Sequence, residues 1–249
     1  MLESDFFMKL DILAFGAHPD DVELSCSGTL LVEKRNGKKV GIVDLTQGEL
    51  GTRGTIETRN QEALDAAKIL GLDIRENLLL DDGFISNNKN SILKVIQVIR
   101  KYRPEVVLCN AIHDRHPDHG KGSNLVEDAC FLSGLLKIET LHDNSIQEPW
   151  RPKYVFHYIQ DRFIEPNFVI DISDVIDVKI QSIKAYKTQF HNIEFEGPET
   201  YISKPSFIQH LTNQNGILGK RIGVEYAEGF TTNKTIGFNN FDAFIKTTT

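Results

Sequence analysis

Apolar residues along this chain fall into two patterns. Ile12-Leu13-Ala14-Phe15 and Val106-Val107-Leu108-Cys109 are unbroken runs, and Val40, Ile42, Val43 and Leu45 nearly so. Short runs of this kind mark strands buried on both faces, as in a parallel sheet. Between them the apolar period lengthens to that of a helix. Ala63, Leu64, Ala66, Ala67, Ile69 and Leu70 precede Gly71, and Ile92, Val95, Ile96 and Ile99 precede Arg103-Pro104. Glycine just past a helical run and proline beyond it are stop signals. The pattern predicts strands at 12–15, 40–45, 77–80 and 106–109, with helices at 22–34, 59–70, 92–103 and from His119 to about residue 137. A loop with three glycines, 46–58, follows the second strand.

The C-terminal third is less regular. Strands are expected at 154–159 and 168–170, a helix at 174–190, a loop and helix over 200–216, and an extended segment at 221–229. Residues 1–8 read as a short leader. Strand, helix and strand in repeated order give an α/β fold, a Rossmann-like, mostly parallel sheet flanked by helices. No Pro-, Gly- or Ser-rich linker divides the chain and no repeat is evident, so one domain over 1–249 is expected. Its last part, about 150–249, would add strands and loops over the crevice.

Chemistry-bearing residues gather at two strand exits. Gly16 and the stretch Ala17-His18-Pro19-Asp20-Asp21-Val22-Glu23 follow the first strand, and His113, His116, Asp118 and His119 follow the fourth. In open α/β sheets ligands bind beyond the carboxyl ends of the strands. Proline and acidic residues also suit a helix start, so Asp20, Asp21 and Glu23 have a plain capping explanation. That explanation leaves His18 unaccounted for. Two imidazoles and a carboxylate, from His18, Asp21 and one of His116 or His119, are the donors of a catalytic zinc site with a position left for water. Spacing does not choose between His116 and His119. Asp20, beside a ligand, is placed to take a proton from that water, which is a hydrolase layout.

Composition narrows the partners. The chain has 249 residues, 40% hydrophobic and 25% charged, as ordinary globular proteins do. A net charge of −7 argues against nucleic acid or an anionic membrane as partner. No apolar run approaches the roughly 18 residues of a membrane span, and the start lacks a basic region, so a cytoplasmic protein is expected. Cys26, Cys109 and Cys130 lack C-x-x-C spacing and read as small buried hydrophobes. Gly16 lacks the following glycines of a dinucleotide fingerprint. His113, His142, His157, His191 and His210 have no motif around them and are expected to be structural or solvated.

The Ala-His-Pro-Asp-Asp exit with the later His-Pro-Asp-His resembles the PIG-L/LmbE-like zinc-dependent N-acetylglucosaminide deacetylases. Asp44-Leu45-Thr46-Gln47-Gly48-Glu49-Leu50-Gly51-Thr52-Arg53-Gly54-Thr55, Glu57-Thr58-Arg59 and Tyr226-Ala227-Glu228-Gly229-Phe230 extend the likeness over nearly the whole chain. Within the family it most resembles the branch that serves bacillithiol biosynthesis. The resemblance implies His18, Asp21 and His119 as metal ligands, Asp20 as general base, and His116 as oxyanion stabiliser or proton donor, tuned by Asp118. The implied metal is Zn2+, and Fe2+ takes the same donors. The implied substrate is a small N-acetylated amino sugar, N-acetylglucosaminyl malate, and relatives are often homo-oligomers. Arg59, Arg115 and Tyr201 are the implied substrate contacts, since arginine pairs bidentately with carboxylates. Where mycothiol-type relatives carry an aromatic residue before the second motif, this chain has Asp114.

Overall fold

The fully apolar runs form the middle of one sheet. In the computed structural model, which describes residues 8–195 and 197–242, β1 (Ile12–Gly16) and β2 (Val40–Thr46) are buried at every position. Alternate side chains of β1 serve two separate cores. Leu13 and Phe15 pack with Val95, Ile96, Ile99, Leu125 and Val126, while Ile12 and Ala14 pack with Val22, Leu30 and Leu31 on the other face. A strand covered on both sides has no polar face to show, which is why its sequence does not alternate.

β3 (Ile74–Leu80), β4 (Val106–Cys109), β7 (Tyr154–Tyr158), β8 (Phe168–Asp171) and β9 (Ala227–Thr231) complete a seven-stranded sheet in the order β3-β2-β1-β4-β7-β9-β8. The pairs from β3 through β7 are parallel, and β9 runs antiparallel to both β7 and β8. The chain moves outward from β1 through β2 to β3, then returns to lay β4 on the other side of β1. β1 and β4 pair as Leu13 with Val107 and Ala14 with Leu108, so their exits are neighbours. That reversal is the switch point where an α/β sheet opens a crevice. The mostly parallel α/β sheet expected from the pattern is therefore present.

Several elements differ from the expectation. The helix expected at 22–34 is two, α1 (Asp21–Ser25) and α2 (Ser27–Arg35), broken at Cys26. The break frees the N–H groups of a second helix start, and buried Glu228 on β9 accepts from Gly28 N, Thr29 N and Thr29 Oγ1. A Cβ on Gly28 would lie 2.8 Å from Ile172 Cγ2 and 2.9 Å from Glu228 Oε1, so only glycine fits this approach. α3 (Ile56–Leu70) begins three residues earlier than expected, because Thr55 and Thr58 cap each other reciprocally. α4 (Lys89–Tyr102) is capped by Asn88, and α5 (Pro117–Leu132) starts at its proline and stops short of residue 137.

A small hairpin, β5 (Leu141–His142) with β6 (Ser145–Ile146), was not foreseen. The expected helix 174–190 is a 3₁₀ turn, Ser173–Val175, followed by α6 (Ile176–Lys184) and irregular turns. α7 (Phe207–Ile222) takes up the start of the segment expected to be extended, and Gly223 ends it with φ 78°. All but the last residue of the expected leader lies outside the described residues. The three cysteines are buried and free. Among the described residues no helix is long and apolar enough to cross a membrane.

Candidate metal centre

β1 ends in a bend that crowds Gly16, where a Cβ would stand 3.0 Å from the His18 carbonyl. Thr46 at the end of β2 then holds the Ala17 carbonyl through both N (3.1 Å) and Oγ1 (2.9 Å). Asp21 N reaches back to the His18 carbonyl, and His18 N donates to Asp21 Oδ2 at 2.9 Å, which closes the turn from both sides. Asp20 lies in this turn with φ 119°, a conformation that costs a residue with a Cβ. Strain of this kind persists only where surrounding contacts impose it. Here Arg59 Nη2 holds the Pro19 carbonyl and lies 3.3 Å from Asp20 Oδ2.

At the β4 exit His116 is the N-cap of α5, its Nδ1 accepting from Asp118 N at 3.2 Å. This places His116 and His119 one turn apart, with ring centroids 5.3 Å from each other and 4.6 and 5.6 Å from His18. Asp21 sits between two of the imidazoles, with Oδ2 3.6 Å from His18 Nδ1 and Oδ1 3.1 Å from His119 Nε2. Among the described residues, donor atoms that all lie within 4.8 Å of one another form two groups, His18–His116–His119 and His18–Asp82–Asp118, and Asp21 belongs to neither. His18 is common to both and also faces Asp21, so it is the hub of the cluster. The Asp21 grouping uses a different oxygen toward each imidazole, which suits a carboxylate between two nitrogen donors.

The partners of these groups were mostly invisible in the sequence. Asn110 Nδ2 and Gln160 Nε2, at the exits of β4 and β7, donate to Asp21 at 3.0 and 3.1 Å. Asp82 Oδ1 lies 2.9 Å from His18 Nε2, and Asp114 Oδ2 lies 2.5 Å from His119 Nδ1. Asp118, expected to tune His116, acts on that imidazole through its charge, which opposes the lowering of the His116 pKa. Its Oδ2 accepts from Gly83 N at 2.6 Å and faces His18 Nε2 at 3.6 Å, because the α5 start turns it toward the loop after β3. Strand-end position was the signal available for Asp82, Asn110 and Gln160, and it names too many residues to be selective.

Burial and neighbouring charge set the ionisation. Burial pushes the Asp20 carboxyl up to about 7, against the pull of Arg59. Burial also opposes charge on Asp21, yet His119 and His18 beside it hold its carboxyl well below the usual range. His119 rises to about 9, since Asp21 and Asp114 outweigh its burial. His116 moves the other way, lowered by burial and then by the charges of His18 and His119. One cluster thus holds imidazoles of opposite tendency, a pattern that marks functional sites.

A cleft of about 850 Å³ opens over the cluster. Arg59, Arg115 and Tyr201 all line it, but none extends a free charged arm. Arg59 is buried on Asp20, while Arg115 lies over the Tyr201 ring (4.6 Å) and 3.5 Å from Asp161, which also accepts from the Tyr201 hydroxyl. The far wall comes from α7 through Phe207, Leu211 and Leu218, and His210 reaches the cleft from there. His157 is buried beneath the site, 2.8 Å from Ser123 Oγ and 3.3 Å from Cys109 Sγ.

Residues 13–130 match the family model described as PIG-L, GlcNAc-PI de-N-acetylase. A conserved protein of Thermus thermophilus, of known structure, is 36% identical, with a TM-score of 0.82 over 92% of this chain and 97% of that one. A diacetylchitobiose deacetylase of Thermococcus kodakarensis is 29% identical over 88% of this chain and 81% of its own. A 4-oxalmesaconate hydratase of Pseudomonas putida is 25% identical over 87% of this chain and 86% of its own. A probable N-acetyl-alpha-D-glucosaminyl L-malate deacetylase of Bacillus subtilis is 26% identical over 73% of this chain and 84% of its own.

Proposed function

Because the chain belongs to the PIG-L family of de-N-acetylases, we propose that it is a metal-dependent hydrolase that removes the acetyl group from an N-acetylated amino sugar. The observation that carries this reading is the meeting of His18, Asp21 and His119, with Asp20 alongside, at the wall of the cleft. Two nitrogen donors and one carboxylate, all buried or nearly so, fit a borderline divalent cation such as Zn2+, and Fe2+ shares the preference. When bound, such an ion lowers the pKa of a water and polarises the amide carbonyl.

The protein's own groups then divide the work. Asp20, held in place by Arg59, takes the proton as the water oxygen bonds to the acetyl carbon. His116, across the cluster, delivers a proton to the amine nitrogen as the C–N bond breaks, so acetate and a free amine leave. The chain's C-terminal third completes this single catalytic unit, since β7, β8 and β9 extend the sheet and α7 walls the cleft.

Within the substrate class, the malate conjugate of N-acetylglucosamine is the finer reading. Arg115 and Lys204 at the cleft wall supply cations for a dicarboxylate, though Asp161 competes for the first of them. A second reading, diacetylchitobiose, is favoured by the longer match to the archaeal deacetylase. Release of free amine from N-acetylglucosaminyl malate, N-acetylglucosamine and diacetylchitobiose separates them. The malate conjugate is expected to give the highest kcat/KM. A charge-assisted hydrogen bond contributes about 1.5–3 kcal/mol, or roughly ten- to a hundredfold over the free sugar. Preference for diacetylchitobiose would move the assignment to that substrate, and no amine from any of the three would overturn the deacetylase reading.

A further inference from the structure

A neutral imidazole carries one N–H and one lone pair, so a histidine can ligate through one nitrogen only if the other keeps the proton. The structure supplies a carboxylate for that proton on each of the two candidate ligands. On His18 the outer nitrogen is Nε2, 2.9 Å from Asp82 Oδ1. On His119 it is Nδ1, 2.5 Å from Asp114 Oδ2. The inner nitrogens, His18 Nδ1 and His119 Nε2, are the ones that face Asp21.

Both carboxylates are themselves held. Asp82 Oδ2 accepts from Leu50 N at 2.9 Å and Asp82 N donates to Glu49 Oε1 at 2.8 Å, so the glycine-bearing loop after β2 fixes the residue from two sides. Asp114 Oδ1 accepts from Arg162 N at 2.7 Å, from the loop after β7. Asp82 and Asp114 are 6% and 8% exposed, which keeps water from competing for either imidazole. Asp118, 3.6 Å from His18 Nε2, is beyond hydrogen-bond reach and has Gly83 N as its partner.

Resting on the metal-centre reading above, we propose that Asp82 and Asp114 are its positioning residues: each accepts the outer N–H of one histidine, fixing opposite tautomers that turn His18 Nδ1 and His119 Nε2 toward Asp21. A carboxylate behind a ligating imidazole fixes ring orientation and raises its basicity, and losing it typically costs 10–100-fold in metal affinity.

The test is made on 15N-labelled protein loaded with one equivalent of zinc. Two-bond 1H–15N correlation should find His18 protonated at Nε2 and His119 at Nδ1, two different tautomers in one site. Asp82→Ala and Asp114→Ala should each weaken zinc about 10–100-fold in competition with a chelator, measured on folded protein so that the stability lost with the Leu50 and Arg162 N–H partners does not enter the affinity. Asp82→Asn and Asp114→Asn keep an acceptor oxygen without the charge and should fall between wild type and alanine. They also carry the test if an alanine variant does not fold. Protonation on either inner nitrogen, or zinc affinity within twofold of wild type in the variants, would overturn the proposal. So would a second zinc equivalent that depends on Asp82, which would make that residue a ligand. Wild-type protein that takes up no zinc would instead sink the metal-centre reading, and the proposal with it.

Discussion

Asp20 and Asp21 are adjacent, acidic and buried at one helix start, yet their surroundings divide them. Asp21 collects donors from His18 N, Asn110 and Gln160 and lies between two imidazoles. Asp20 pairs with Arg59, and its backbone is strained at φ 119°. A capping role predicts similar, modest losses for either, about 0.5–2 kcal/mol of stability. The proposed roles predict a split. Asp21→Asn should lose zinc, because a neutral amide is a poorer ligand. Asp20→Asn should keep zinc, with a lower melting temperature because buried Arg59 loses its carboxylate, and should lose about 10²–10⁴ in kcat of the folded protein, the usual worth of a general base. Metal content, melting temperature and kcat of both variants check this, and near wild-type turnover in Asp20→Asn would remove Asp20 from the mechanism. The histidines and acids of this site stood out in the sequence because they are clustered at two exits. Asp82, Asn110, Asp114 and Gln160 did not, since each is one polar residue in its own loop and only the fold brings them to the cluster.

Elements were legible where local signals decide and hidden where tertiary contacts do. Unbroken apolar runs gave β1, β2 and β4 close to their observed bounds. The break between α1 and α2 depends on Glu228, 200 residues from Gly28, and no local pattern could announce it. The same carboxylate meets Lys179 of α6 at 2.6 Å, both side chains fully buried, so one ion pair ties α2, α6 and β9 together. Removing one partner of a buried pair is strongly destabilising, because the other charge is left without compensation. Glu228→Gln is therefore expected to cost about 3–5 kcal/mol. In a chain of this size each kcal/mol lowers the melting temperature by about 2–4 °C. Adding Lys179→Met to the same chain should recover most of the loss, since a well-packed apolar replacement avoids the buried charge. Thermal melts of the single and double variants test this, and an unrecovered double variant would mean that the pair contributes geometry that hydrophobic packing cannot replace.

At the scale of the whole molecule the site exists because β4 returns to the other side of β1. The sequence showed two chemistry-bearing exits about a hundred residues apart, and the sheet order makes them neighbours. The antiparallel end formed by β7, β9 and β8 was less legible, since its strands are short, only half-buried in part, and set apart by loops and by α6 and α7. A centre assembled from β1, β4 and the loops after β3 and β7 cannot persist in the unfolded chain. Metal binding is then linked to global stability, with a gain of RT ln(1 + [M]/Kd). Free zinc at a hundred times Kd should stabilise by about 2.7 kcal/mol. At about 2–4 °C per kcal/mol the melting temperature should rise by roughly 5–11 °C, and a chelator should reverse it. His18→Ala removes the residue shared by every donor grouping in the cluster, so its melting temperature should not respond to zinc. Melts of both proteins with zinc and with chelator decide the matter. An equal rise in His18→Ala would show that zinc acts elsewhere on the protein, and the centre would have to be sought away from the β1 exit.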